Sequence, residues 1–244
     1  MNLGTSLTIA AKELKVVSRK KSIIYYTVGF PFLLTVGFLL VVNSDIVSAA
    51  GISSNYVLGL DSLTYFFVVL AAIIPSSIAS YSIIGEKIEK SLESLLATPA
   101  TDGEILLGKS IASFVPTILS IWVAASIFMI VTDYLTHDLL SFYYFPNWTA
   151  GVMLFLLAPL GAILSIELSV IASSRVNDVR GANQIGSLMF IPFMGVFLAG
   201  VEGIFAFSTD NLLIFSLIVL IVDVALFFLS TSTFKREEIL TKWK

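Results

Sequence analysis

The sequence predicts an all-α, polytopic membrane protein with six transmembrane helices, an N-terminal amphipathic interfacial helix and a short cytoplasmic helix between spans two and three. Three observations lead to this prediction. Hydrophobic residues make up 57% of the 244 residues and charged residues 13%, whereas about 25% of an ordinary soluble domain is charged. The apolar residues come in blocks of about 20, the length that crosses the hydrocarbon core of a bilayer. Every Lys and Arg lies on one side of those blocks.

Composition also argues against several classes of function. The chain has no cysteine, so it has no disulfide, thiolate metal site or cysteine nucleophile. Its one histidine, His137, falls in a predicted outer loop, so we expect no metal site. A net charge of −3 and a pI near 5.1 give no reason to expect nucleic acid as a partner.

The first 21 residues are predicted to form the interfacial helix. Their apolar residues recur at helical spacing near one face, and the basic residues Lys12, Lys15 and Arg19 occupy other faces. This pattern is typical of a helix that lies in the inner headgroup region. The alternative is a basic flank that only anchors the topology. The apolar face comprises Leu3, Leu7, Ala10, Ala11, Leu14 and Val17.

Six apolar blocks follow, and each is predicted to cross the membrane as a helix. A helix satisfies its own backbone hydrogen bonds in lipid, which an open strand does not. The first block is longer than the apolar core of a cleaved signal peptide, so we expect it to remain as a span. The predicted spans cover residues 23–42, 63–84, 111–131, 150–172, 185–207 and 212–229.

The distribution of charge sets the predicted orientation. All 14 basic residues lie before the first span, in the loops after spans two and four, or in the tail at 232–244. The opposite side carries acids instead: Asp45, Asp61, Asp133, Asp138 and Asp210. Because cytoplasmic loops carry the excess of Lys and Arg, both termini are expected in the cytoplasm, with the chain in the cytoplasmic (plasma) membrane.

Aromatic and proline residues add detail to the spans. An aromatic cluster just outside the fourth span is typical of an interfacial belt. Proline occurs in five spans, where it is expected to kink the helix. The belt comprises Tyr134, Phe142, Tyr143, Tyr144, Phe145 and Trp148, and the prolines are Pro31, Pro75, Pro116, Pro159 and Pro192.

The loop between spans two and three is long enough for an amphipathic helix at residues 85–99. Glu86 and Lys90 form an i,i+4 pair in the favoured order. Pro99 ends the helix, and Thr101 with Glu104 fits a capping box that starts the next one. The length and the apolar stripe indicate a surface that docks on a soluble partner. The stripe comprises Ile84, Ile88, Leu92, Leu95 and Leu96.

This loop also carries a resemblance to a known family. Glu86-Lys87, the run Ser-Leu-Glu-Ser-Leu-Leu-Ala-Thr-Pro at residues 91–99, and Gly108-Lys109 resemble the signature of ABC-2 type transporter permeases. That family usually has Gly-Thr where this chain has Lys90-Ser91. The layout of an N-terminal helix, six spans and a short tail is similar as well.

The resemblance implies the permease subunit of an ABC exporter, with residues 85–99 as the coupling helix. Two copies of a separate ABC ATPase would carry ATP and Mg²⁺, so this chain would hold no cofactor, no metal and no catalytic residue. A second permease chain, identical or similar, would complete the pathway, and ATP would drive alternating access for an unidentified substrate. The implied ATPase contacts are Glu86, Lys87, Ile88, Ser91, Leu92, Glu93, Leu95, Leu96, Thr98 and Pro99.

Residues 103–110 match the phosphate-loop pattern G-x-x-x-x-G-K-[ST] by letter. A phosphate loop needs a buried strand before it and backbone amides that wrap the phosphate. Here the match follows a proline turn and runs into a span as a helical pattern. We therefore expect no nucleotide site in this segment.

Three acids within or near the spans are candidates for the transport pathway. Glu167 and Asp223 lie inside spans four and six, where an unpaired charge costs about 2.5–3.5 kcal/mol on insertion scales. They either line a pathway for protons or cations or bond nearby hydroxyls such as those of Ser165 and Ser230. Glu202 lies nearer the outer face and indicates a broken helix end or an outer gate.

Two other functions stay open at the level of sequence. An ion-coupled secondary transporter or channel would use Glu167 and Asp223 as coupling groups, although no inverted repeat is evident. An intramembrane enzyme would need converging nucleophiles, bases or metal ligands in the membrane, and the sequence offers no such set. Nothing in the sequence selects a substrate.

Overall fold

A computed structural model describes residues 3–42, 54–88, 100–176 and 178–233 of the chain. Within these ranges the regular elements are helices and none is a strand, which confirms the predicted all-α class. Two helices continue through a wider π-helical turn, at Tyr25–Gly29 and at Met153–Leu157. The α-helices in chain order are α1 (Leu3–Val17), α2 (Lys21–Ile24), α3 (Phe30–Val42), α4 (Ser54–Ala71), α5 (Pro75–Ile88), α6 (Asp102–Leu140), α7 (Trp148–Val152), α8 (Ala158–Arg175), α9 (Val179–Ser187), α10 (Phe190–Val201) and α11 (Thr209–Thr233).

Six stretches of the described chain are long and apolar enough to cross a membrane, which confirms the predicted number of spans. The third span extends well beyond its predicted ends at residues 111–131. Its helix α6 has 39 residues, a length of about 58 Å against roughly 30 Å of hydrocarbon. Helix α6 is therefore longer than a perpendicular crossing of the apolar layer requires. The six spans are Lys21–Val42, Leu58–Gly85, Gly103–His137, Trp148–Ser173, Val179–Val201 and Thr209–Ser230.

The second and fourth spans lie at the centre of the bundle. Phe67 of the second and Leu157 of the fourth are completely buried. The outer spans expose apolar side chains instead, among them Leu33, Ile130 and Ile214. Helices that are apolar on all sides are typical of a membrane bundle, because their outward faces contact lipid rather than water.

Four of the five span prolines lie just after an interruption of the α-helix. Proline has no N–H to donate to the carbonyl four residues earlier, and its ring crowds that carbonyl. A π-helical turn ends shortly before Pro31 and before Pro159, and a short break precedes Pro75 and Pro192. Helix α6 runs through Pro116 without a break.

The fifth span ends before its predicted boundary at residue 207. Glu202 is the C-cap of α10, and Gly203 follows with a φ of 73°. The N–H of Ile204 then donates to the carbonyl of Ala199 at 2.8 Å. Glycine adopts this left-handed conformation at little cost and commonly ends a helix. The Glu202-Gly203 pair therefore stops the span, and Glu202 marks a broken helix end as predicted.

The two ends of the bundle differ in charge. We call the end that carries α1, Lys109 and Arg180 the basic end, and the end that carries Asp61 and Asp133 the acidic end. At the acidic end, two carboxylates fix the connection between spans three and four.

The Tyr144 hydroxyl donates to Asp61 Oδ1 at 2.7 Å. The N–H groups of Tyr144 and Phe145 donate to Asp133 Oδ1 at 3.0 and 3.1 Å. Burial, and then the charge of Asp61, raise the pKa of Tyr144 above its ordinary value. The phenol therefore remains a hydrogen-bond donor at neutral pH.

These contacts divide the predicted aromatic belt into two groups. Tyr144 is bonded inward to Asp61, and Phe145 is buried. The other group is exposed, and its place in an interfacial belt stays a prediction: Tyr134, Phe142, Tyr143 and Trp148. Tyr144 and Phe145 lie inward because the connection turns back towards the core there, where Asp133 accepts hydrogen bonds from their N–H groups.

Candidate functional site

The predicted ATPase contact lies between spans two and three at the basic end. Glu86, Lys87 and Ile88 form the last turn of α5. The remaining predicted contacts lie outside the described residues: Ser91, Leu92, Glu93, Leu95, Leu96, Thr98 and Pro99. The structure thus shows the helix that leads into the segment and, from Ala100 onward, the chain that leaves it.

The chain returns to the bundle through the predicted capping box. Thr101 Oγ1 accepts from the N–H of Glu104 at 3.4 Å, and Glu104 Oε2 accepts from the N–H of Thr101 at 3.0 Å. This reciprocal pair satisfies two of the backbone donors that the first turn of a helix leaves free. It confirms the predicted start of α6.

Next to this entry lies a buried polar cluster of Glu13, Ser82 and Lys109, which we call the clasp. The ammonium of Lys109 donates to Glu13 Oε1 at 3.1 Å and to the Ser82 carbonyl at 2.6 Å. The Ser82 hydroxyl donates to Glu13 Oε2 at 2.8 Å. The side chains of Lys109 and Glu13 are only 2% and 4% exposed. The clasp therefore joins α1 to the ends of spans two and three.

Helix α1 reaches the clasp because it packs closely on α6. A Cβ atom at Gly108 would lie 2.8 Å from Ile9 Cβ and 2.8 Å from the carbonyl oxygen of Ser6. Glycine is therefore the residue that permits this approach.

The face that α1 buries differs from the predicted apolar face. Ala10 and Val17 of the predicted set are buried, but Leu3 and Leu7 are 69% and 58% exposed. The buried face instead includes Glu13, because Lys109 and Ser82 receive its carboxylate.

Sequence reasoning missed the clasp, although one signal was present. Glu13 is the only acid in the first 21 residues, a segment that is otherwise basic. It lies four residues after Ile9 and four before Val17, so a helix places all three near one face. A single acid on an apolar face indicates a cationic partner, and Lys109 at the edge of a predicted span is the matching cation.

The clasp also accounts for the residues that match a phosphate loop by letter. Residues 103–110 lie within helix α6, where the N–H of Glu104 bonds to the Thr101 side chain and the N–H of Ile105 to the Thr101 carbonyl. The Lys109 ammonium is held by Glu13 and Ser82. The segment therefore lacks the geometry of a nucleotide site.

The structure brings Glu167 and Asp223 together between spans four and six. Both are buried, with 8% and 5% exposure, on two helices that pack against each other. Glu167 Oε2 and both carboxylate oxygens of Asp223 have no hydrogen-bond partner among the described residues. The alternative partners do not reach them, since Ser230 donates to the carbonyl of Phe227 and Ser165 Oγ is itself without a partner there.

Glu167 lies at the wall of a cavity of about 480 Å³ near the basic end. The first turns of α6, the second half of α8 and the end of α11 form its sides. Apart from Glu167, its lining is almost wholly apolar. The lining residues are Gly103, Leu106, Leu107, Ser110, Ile111, Phe114, Ile163, Ile166, Glu167, Val170, Phe227 and Ser230.

Glu202 is not part of this group. It is exposed to the surroundings at the end of α10. Among the residues that the structure describes, no three His, Asp or Glu side chains are arranged to hold a metal ion. Of the three candidate pathway acids, Glu167 and Asp223 are buried and Glu167 lines the cavity, whereas Glu202 is exposed at a helix end.

Comparison with models of known protein families gives a match to this chain. The family described as "ABC-2 family transporter protein" matches residues 7–243, nearly the whole chain. No curated protein matches the chain.

Proposed function

The chain belongs to the ABC-2 family of transporter proteins, and from that membership we propose that it is the permease subunit of an ATP-driven exporter. Family membership and six apolar helices make it a multi-pass membrane transport protein. The match over residues 7–243 is the observation that carries the proposal. In this proposal the chain supplies half of a pathway, and a second permease chain supplies the other half.

ATP hydrolysis is assigned to two copies of a separate ABC ATPase, which would hold ATP and Mg²⁺. Residues 85–99 are proposed as the coupling helix that sits on the ATPase. The clasp supports this assignment, because Ser82 and Lys109 flank the segment and are tied to each other and to Glu13 by bonds of 2.6 to 3.1 Å. A force on residues 85–99 would then act on spans two and three and α1 as one unit.

The basic end is proposed to face the cytoplasm. Lys12, Lys15, Lys109 and Arg180 lie at this end, whereas Asp61 and Asp133 lie at the other. An excess of Lys and Arg is typical of cytoplasmic segments. This orientation puts residues 85–99 on the side where ATP is available.

The test is to purify the tagged chain in lipid nanodiscs from cells that make it and to measure the ATPase that it retains. Leu92→Ala and Glu93→Ala should each reduce the retained ATP hydrolysis by about tenfold, as expected for a central interface residue. Ser94→Ala, a polar position of the same segment, is the matched control and should retain it.

Undiminished retention in both variants would remove the interface assignment. Transport in ATPase-free vesicles driven by an ion gradient, and abolished by Glu167→Gln and Asp223→Asn, would replace the proposal with an ion-coupled transporter.

A further inference from the structure

We propose that the cavity beside Glu167 is a binding site for amphiphilic organic cations that enter from the bilayer: molecules with an apolar body and a protonated amine. The site lies on this chain alone, and its test needs no ATPase. It goes beyond the proposed export function, which assigns no ligand.

The first argument is the shape and lining of the cavity. A volume of about 480 Å³ is within the range of pockets that hold small organic molecules, roughly 300–1,000 Å³. Leu106, Ile166 and Val170 give it apolar walls on two sides, and Phe114 and Phe227 add aromatic rings. Such walls bind a hydrocarbon or aromatic body through burial of apolar surface.

Glu167 places a buried carboxyl group at the wall of this cavity. Glu167 is only 8% exposed and lines the cavity. Its Oε2 atom has no partner among the described residues. Asp223, on the helix that packs against that of Glu167, adds two more unpartnered oxygens among the described residues. A buried carboxylate without a cation is costly. An ammonium group in the cavity supplies both the missing charge and the missing donors.

The lining also selects the kind of cation. A metal ion needs several oxygen or nitrogen ligands, and the described residues hold no group of three His, Asp or Glu side chains arranged for one. Ser230, another polar residue of the lining, already donates to the carbonyl of Phe227. One acidic pair beside apolar and aromatic walls suits an amine on an apolar body, and aromatic faces also attract ammonium groups.

The position of the cavity gives the route of entry. Span four packs extensively against spans three and six, whereas spans three and six contact each other little within the described chain. The cavity lies in the resulting gap, and Phe227 of its lining is 43% exposed. A ligand dissolved in the bilayer thus reaches Glu167 sideways, in the half of the membrane nearest the basic end.

The test uses two probes that differ in their terminal group: N-dansyl-1,10-diaminodecane, whose free amine is protonated, and the equally long N-dansyl-10-aminodecan-1-ol, whose hydroxyl is neutral. Binding is measured on the purified chain in phosphatidylcholine nanodiscs, and binding to empty nanodiscs is subtracted. We expect the amine to bind about tenfold more tightly than the alcohol, the equivalent of one charge-assisted hydrogen bond.

Three variants locate the site. Glu167→Gln should bring the two probes to within about twofold of each other, and Ile111→Trp, which fills the cavity, should weaken both. Glu202→Gln, an exposed acid outside the cavity, is the matched control and should keep the preference. Equal binding of both probes to the unmodified chain, a preference that survives Glu167→Gln, or binding unaffected by Ile111→Trp would each overturn the proposal. None of these results depends on an ATPase, so this inference and the proposed function can fail separately.

Discussion

At the scale of single residues, the clasp is the most consequential arrangement in the described chain. Lys109 and Glu13 are each almost fully removed from solvent. Burial of two charges is offset only when they pair well and their other hydrogen-bonding groups are satisfied. Ser82 contributes to this by accepting from Lys109 and donating to Glu13. Loss of one charged partner leaves the other buried without compensation.

We therefore expect Lys109→Met to lower the free energy of unfolding by about 3–5 kcal/mol. Thermal unfolding of the purified chain in mild detergent measures the change. Lys15→Met is the matched control, because Lys15 is on the exposed face of α1 and its loss should change stability by less than about 0.5 kcal/mol.

A double variant separates charge from packing. Glu13→Leu combined with Lys109→Met removes both charges and should recover part of the stability lost in Lys109→Met alone. If Lys109→Met unfolds at the same temperature as Lys15→Met, the clasp does not stabilise the fold. If the double variant loses more unfolding free energy than the two single variants lose together, the apolar replacements rather than an unpaired charge cause the loss.

At the scale of helices, the position of α1 depends on close backbone approach to α6. Where the two helices cross there is no room for a side chain at Gly108, since an added Cβ would meet Ile9 and the backbone of Ser6. A backbone atom cannot move aside as the end of a flexible side chain can. Any residue larger than glycine must push the two helices apart.

Gly108→Ala should therefore displace α1, at a cost of about 1–3 kcal/mol for overpacking. Limited trypsin digestion measures the displacement, since cleavage after Lys12 and Lys15 requires α1 to leave its site. Cleavage should be faster than in the unmodified chain. Gly151→Ala is the control, because nothing lies within 4 Å of a Cβ at Gly151. Equal cleavage rates in the two variants would contradict the packing argument.

Helix positions were largely predictable from the sequence, and helix partners were not. Blocks of apolar residues and the Thr101 capping box place the spans and the start of α6, because both signals are local. The end of span five has a local signal as well, the Glu202-Gly203 pair, although the predicted boundary at residue 207 lies beyond it. The clasp joins residues 96 positions apart, and the meeting of Glu167 with Asp223 depends on which helices become neighbours. A hydropathy pattern does not show which helices become neighbours, so it predicts neither feature.

At the scale of the whole molecule, the exposed face of span five is where we expect a second copy to bind. Ile191 and Leu198 are each 55% exposed, and nothing lies within 4 Å of a Cβ at Gly195 between them. Small residues on an apolar stripe let two membrane helices approach closely. By contrast, Gly186 is already packed against Ser169 of the same chain.

The absence of cysteine from the sequence allows a direct test. Gly195→Cys should form a disulfide-linked dimer on mild oxidation in membranes. Leu217→Cys, at an exposed apolar position in span six, is the control and should remain monomeric. Cross-linking is read on a non-reducing gel. Equal cross-linking at both positions would indicate random collision, and cross-linking at Leu217→Cys alone would move the interface to span six.

The clasp also orders the steps by which the protein is made. Glu13 leaves the ribosome long before Lys109, and two spans are synthesised between them. Until Gly108 and Lys109 have been synthesised, the carboxylate of Glu13 lacks its cationic partner, and α1 lacks the helix on which it packs. We therefore expect helix α1 to dock only after the third span has begun to form, so a segment that is translated before the first span is among the later ones to reach its native position.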